Sequence, residues 1–210
     1  MFQRYMDSQY RRPTGLVGQW IGRKMLQQHQ PENRWTVNLL DIQPTDRVLE
    51  IGFGPGFAIQ QVAKLAFQGF VAGVDFSKAM VSAASKLNAD AIDTGRLEIH
   101  HGDAERLPFA DSTFNKAFSI HSIYFWTNPA AALREMWRVL EPDGTVVLTI
   151  LPKERWNEAD PDAPVGTPEC KPYTGAELSV MLTQAGFTST AIKSDANREY
   201  RSNYSVVARK

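Results

Sequence analysis

Cysteine is nearly missing from this chain. Cys170 is the single one among 210 residues, so neither an internal disulfide nor a cysteine-based zinc site can form within it. An excess of either charge is missing too. The 23 basic residues are matched by 23 acidic ones, so no global field draws the protein toward nucleic acid, and no nucleic-acid partner is expected. No apolar run approaches the ~20 residues that a bilayer span needs. The opening Met1-Phe2-Gln3-Arg4-Tyr5-Met6-Asp7-Ser8 has no apolar signal core, and repeats are not apparent. A soluble, cytoplasmic protein is the expectation.

What is present is enough apolar material, 43% of residues, for one domain with a substantial core. Residues 1–45 read as an N-terminal helical cap segment, basic over its first 30 residues, with a helix expected after Pro13-Thr14. From residue 46 to 210, strands and helices alternate. Strands are expected at 47–51, 70–75, 96–100, 114–120 and 145–150. Helices are expected at 56–68, from the N-cap Ser77 to about Leu87, from Asn128-Pro129 through Leu140, and from Thr174 to Ala185. Two last strands, near 187–194 and 202–209, suit an antiparallel hairpin. The alternation implies βαβ units and a mostly parallel, Rossmann-like α/β sheet with helices on both faces. In such sheets ligands bind beyond the carboxyl ends of the strands.

The first strand runs into Glu50-Ile51-Gly52-Phe53-Gly54-Pro55-Gly56-Phe57. A dinucleotide fingerprint would read G-x-G-x-x-G, but here the third glycine stands at Gly56 and the fingerprint position holds Phe57. Glu50 is a poor neighbour for a pyrophosphate and a natural one for a cofactor that carries an ammonium group. Asp75 ends the second strand, where an acidic residue takes ribose hydroxyls. Asp103 follows the third strand and can accept from an exocyclic amine.

Four motifs in order, E50-I-G-F-G-P-G56, V74-D75-F-S-K-A-M80, H101-G-D-A-E-R-L-P-F109 and L133-R-E-M-W-R-V-L-E-P-D-G-T145, resemble the class I S-adenosylmethionine-dependent methyltransferases. The similarity is to the small-molecule branch that includes ubiquinone/menaquinone-biosynthesis methyltransferases, and it runs from about Val48 to the C-terminus. It implies a seven-stranded sheet and S-adenosylmethionine as cofactor, with S-adenosylhomocysteine as product. Glu50, Gly52, Gly54 and Gly56 would then surround the methionine end, and Asp75 would bind the ribose. Phe76 and Met80 would flank the adenine, with Asp103 and Ala104 at its edge. Two departures stand out: Asn115 where the family often has Asp, and His121-Ser-Ile-Tyr-Phe-Trp126 where it often has histidine at 124 or 125.

His121 ends the fourth strand and is the candidate general base, with Tyr124 second; a backbone-bonded histidine is the equal alternative. Tyr10, Trp126 and Trp156 are candidate acceptor contacts, and the proline-rich 152–172 connection is a candidate lid. His100 and His101 have no third partner in sight, so no metal is expected. The reaction expected is methyl transfer to an O, N or C atom of a small molecule. A membrane lipid or quinone head group is an alternative, motivated by the basic N-terminal segment and its transient contact with a membrane surface. A cofactor-binding regulatory protein without catalysis is another, and a nicotinamide oxidoreductase is the last. Oligomeric state is open.

Overall fold

Each strand expected between residues 47 and 150 becomes a strand of one sheet. The computed structural model describes residues 30–155, 170–194 and 203–210. The helix expected after Pro13-Thr14, Tyr10, Trp156 and most of the 152–172 connection lie outside the described residues. The strands are β1 (Arg47–Ile51), β2 (Phe70–Asp75), β3 (Leu97–His101), β4 (Phe114–Ile120), β5 (Leu140–Ile150), β6 (Ser189–Ser194) and β7 (Tyr204–Arg209). They lie in the order β3-β2-β1-β4-β5-β7-β6. From β3 across to β5 all neighbours are parallel, while β7 runs antiparallel to both β5 and β6. This is the Rossmann-like α/β sheet with an antiparallel C-terminal pair that the sequence predicts.

Helices cover both faces: α1 (Gln30–Leu40), α2 (Phe57–Leu65), α3 (Lys78–Leu87), α4 (Ala89–Asp93), α5 (Pro129–Val139) and α6 (Gly175–Gln184). The period-2 alternation of each strand divides its side chains between them. Val48 and Val71 pack with Val37 and Leu40 of α1 and Ile59 and Val62 of α2. Leu49 and Ala72 face the other way, into a core with Leu133 and Met136 of α5 and Leu178 and Leu182 of α6. Leu49, Leu133 and Leu178 have no exposed surface; each such side chain contributes about 1.5–3 kcal/mol.

Helix starts follow local chemistry. Ser77 accepts from Met80 N–H, Asn128 caps α5 ahead of Pro129, and Thr174 and Glu177 form a capping box. Two boundaries differ from expectation by three residues or more. α2 stops at Leu65 because the chain turns back to the sheet, with Gln68 N–H bonded to Pro44 O. β5 starts at Leu140, which pairs with Phe114 before pairing resumes at Thr145 and Lys116, so the turn at 141–144 bulges out of a strand already begun. α1 lies inside the 1–45 segment read as helical, later in the chain than the one helix placed there, after Pro13-Thr14.

β1 and β4 are neighbours at the point where the chain changes direction across the sheet. The crevice beyond their carboxyl ends is where this topology places a ligand.

Candidate functional site

A pocket opens at that crevice, walled by the ends of β1, β2 and β4 and by the loops that follow them. Its floor is the glycine turn, and the three glycines do three different things. A Cβ on Gly52 would lie 2.3 Å from Ser122 Cβ, so Gly52 lets the loop after β4 close onto β1. Gly54, at φ +54°, would meet nothing within 4 Å and faces open space in the pocket wall. Gly56, at φ +93°, does not line the pocket. A Cβ there would lie 2.7 Å from Ala84 Cβ, so it allows α3 to approach the start of α2. Asn88 secures that approach by donating to Gly56 O at 3.2 Å. The close-packing glycine of the dinucleotide pattern is therefore present, one residue early and turned toward a helix.

Three carboxylates are spread along the pocket. Glu50 is only 2% exposed and shares the face of Val48. Burial and then the Asp75 charge raise its carboxyl well above the usual range, and the Ile59 backbone N–H pulls back in part. Its Oε2 is buried without a hydrogen-bond partner. Asp75 ends β2, where Oδ2 accepts from Gly54 N–H and Oδ1 from Ser77 N–H, each at 2.8 Å. Burial pushes this carboxyl up to about 6, against those two N–H groups and the His101 charge. Asp103, exposed at the far wall, accepts from Glu105 N–H through Oδ1 at 3.0 Å.

Apolar groups separate the polar ones. Met80 is 2% exposed, and the buried Ala104 stands beside Asp103 in the same wall. Phe76 leaves the wall 46% exposed, with its carbonyl 3.1 Å from His101 Nε2 and its ring stacked on the imidazole.

His121 and Trp126 line the side reached from β4. His121 sits at φ +53°, a strained backbone for a residue with a side chain, held by its N–H to Thr149 O at 3.0 Å. Its Nδ1 is 3.2 Å from Tyr124 Oη. Tyr124 itself does not line the pocket; it is 5% exposed, accepts from Leu151 N–H at 2.5 Å and donates to Leu151 O at 3.2 Å. Burial raises its phenol well above the usual range. Asn33 of α1 also reaches the pocket, and no motif pointed to it. The signal was there in Asn33, Val37 and Leu40 at helical spacing, the last two buried, behind a Pro31-Glu32 helix start.

This lining fits S-adenosylmethionine. The partnerless, buried Glu50 oxygen is suited to an ammonium group, and the bare backbone at Gly54 leaves room for a ligand to approach. Among the described residues no group of three His, Cys, Asp or Glu side chains could hold a metal ion, and no helix is long and apolar enough to cross a membrane.

Residues 49–148 match the family model described as a methyltransferase domain. The Bacillus subtilis protein YdaC, named an uncharacterized methyltransferase, is 30% identical over 169 residues, 80% of this chain and 86% of YdaC. YrhH of the same organism, also named as a methyltransferase, is 40% identical over 114 residues, 54% of this chain but 62% of YrhH. A demethylmenaquinone methyltransferase of Bacillus cereus is 31% identical over 125 residues, 58% of this chain; the match spans about half of that relative, 51%. Among solved structures, a chain from the complex of the Haloferax volcanii Trm112 methyltransferase activator with a methyltransferase superposes with a TM-score of 0.73. That match has 20% identity and covers 90% of this chain and 92% of the other, a likeness of fold.

Proposed function

The chain belongs to the class I S-adenosylmethionine-dependent methyltransferases, and we propose that it is an active enzyme that methylates an O, N or C atom of a small molecule. The observation that carries this reading is the order of the carboxylates. Glu50, Asp75 and Asp103 follow one another along a single pocket in the order in which an ammonium, a ribose diol and an adenine amine would need them.

The cofactor, when bound, supplies an electrophilic methyl group on a sulfonium centre. The chain supplies position. Glu50 neutralises the ammonium end, Asp75 accepts from the ribose hydroxyls, and Phe76, Met80 and Ala104 enclose the base. Holding two reactants in line can lower a barrier by about 7–11 kcal/mol, so most of the rate follows from alignment. The acceptor enters on the side of His121, Phe125 and Trp126. His121 is the proton acceptor for a hydroxyl or carbon acid. Tyr124 acts through it: with the phenol proton on Leu151 O, Nδ1–H of His121 donates to Tyr124 Oη, and the basic lone pair falls on Nε2.

Radiolabelled S-adenosylmethionine with a panel of phenols, amines and carbon acids tests the reading. Transfer to any of them that is lost in Glu50→Ala supports it; cofactor binding without transfer to any class favours the regulatory alternative. A quinone head group is the second reading, supported by the demethylmenaquinone methyltransferase relative and by the aromatic Phe57, Phe125 and Trp126 in the wall. A short-chain demethylquinone in the same panel separates it from the rest.

A further inference from the structure

Residues 102–113 join β3 to β4 with no helix or strand beyond an isolated bridge between Asp103 and Arg106. Gly102, Asp103 and Ala104, at the start of this loop, wall the pocket. The rest of the loop lies along α5, which grips it at successive points. Glu135 Oε2 accepts from Leu107 N–H at 2.9 Å. Arg138 donates to Leu107 O at 3.2 Å, to Phe109 O at 2.8 Å and to Asp111 Oδ1 at 2.7 Å. The same guanidinium holds Glu135 in a two-point pair at 2.7 and 2.8 Å. Ser112 N–H and Thr113 N–H then bond to the carbonyls of Arg138 and Val139.

Only a planar fork with five donors serves two carbonyls and two carboxylates at once, so lysine cannot replace Arg138 here. The Arg138 hydrogen bonds hold the Glu135 carboxyl below the usual range, which keeps the pair ionised at neutral pH. Neither side chain lines the pocket. Their reach to it is through the loop: Leu107, gripped on both its N–H and its carbonyl, is 4% exposed and only three residues from Ala104.

We propose that Glu135 and Arg138 are positioning residues for the adenine end of the pocket, fixing where Asp103 and Ala104 stand by clamping the β3–β4 loop to α5. The pair thus governs how well the protein tells a 6-amino purine from a 6-oxo one, because Asp103 accepts from the amine and has nothing to accept from the oxo form. This rests on the S-adenosylmethionine reading of the pocket.

The test is calorimetry of the full chain with S-adenosylhomocysteine and with S-inosylhomocysteine, its 6-oxo counterpart. Wild type, Glu135→Gln, Arg138→Lys and Arg138→Met are compared with Lys116→Met. That last change breaks the Lys116–Asp46 pair (2.8 Å), whose residues lie outside the pocket, and serves as a control for general destabilisation. Wild type should prefer the amino compound. The clamp variants should bind it about tenfold more weakly, with most of the preference gone. Lys116→Met should melt earlier yet keep the preference. The clamp is refuted if folded Glu135→Gln and Arg138→Lys discriminate as wild type does, or if wild type shows no preference. Wild type that binds neither compound overturns the cofactor reading itself.

Discussion

Ser122 stands where a side chain on Gly52 would have to go. A Cβ on Gly52 would lie 2.3 Å from Ser122 Cβ and 2.5 Å from its Oγ. The hydroxyl also donates to Ile51 O at 3.0 Å and contacts Ser119 Oγ at 2.5 Å. The glycine that opens the cofactor turn is thus also the seam between β1 and the loop that carries His121.

Gly52→Ala should therefore fail on two counts, overpacking and a φ of +74°. We expect a loss of about 2–4 kcal/mol of stability together with weakened S-adenosylhomocysteine binding. Gly52→Ala/Ser122→Gly should recover the overpacking part but not the backbone part. Urea unfolding of the four proteins of this cycle measures the coupling; strict additivity would refute it.

Glu50→Gln should stabilise the ligand-free protein and weaken the cofactor complex. The native pocket raises the Glu50 carboxyl well above its ordinary value by burial and by Asp75, so its ionised form is penalised on folding. A neutral amide removes that penalty. We expect the melting temperature to rise by about 2–4 °C for each kcal/mol released, and S-adenosylhomocysteine affinity to fall at least tenfold. Scanning calorimetry with and without the ligand reads both.

Cofactor affinity should fall on the acid side of about pH 6. The Asp75 carboxyl is pushed up to about 6 by burial, so it loses its charge as pH drops through that value. Once protonated, it gives up acceptor capacity that the ribose hydroxyls need. The dissociation constant should rise by at most tenfold per pH unit, the slope of one proton, between about pH 6 and pH 5. Asp75→Asn should bind weakly at every pH and lack the Asp75 part of this slope. For folding alone the sign is opposite. A carboxyl raised from 3.8 to about 6 penalises the native state as pH climbs through that range, so Asp75→Asn removes that loss.

Tyr124→Phe strips both Leu151 N–H and Leu151 O of their buried partner. We expect a stability loss of about 1–3 kcal/mol. On any acceptor that needs a base, the lower limb of the pH–rate profile should also move, because the tautomer of His121 is no longer set. His121→Asn should abolish that limb. If Tyr124→Phe lowers the melting point while the profile stays in place, the phenol only anchors the end of β5.

Sequence patterns revealed most where burial is two-sided. β1, β2 and β4 fall on their expected residues because fully buried parallel strands are short apolar runs bounded by turn residues. α1 hid for the opposite reason. Its inward stripe contains Thr36, whose hydroxyl meets Thr149 Oγ1 at 2.6 Å deep in the core, so the apolar periodicity is broken by a polar pair that only the folded state brings together. The left-handed backbone of His121 was only weakly marked: histidine is among the residues enriched at positive φ, but no glycine or turn pattern beside it singles out this position. Glu135 and Arg138 stood in plain sight within a motif, but their partners lie 27–31 residues away and only the crossover from β3 to β4 brings them together.

β7 lies between β5 and β6, although it follows both in the chain. As the polypeptide leaves the ribosome, residues 189–194 emerge before the strand that must separate them from β5. During that interval the open flank of β5 is a template for whichever strand arrives first, and β6 docked there would be in the wrong place. The order of synthesis and the order of the sheet are at odds at this one position. A nascent chain that has emerged only as far as residue 203 would therefore hold a sheet of five strands, with β6 waiting beside it.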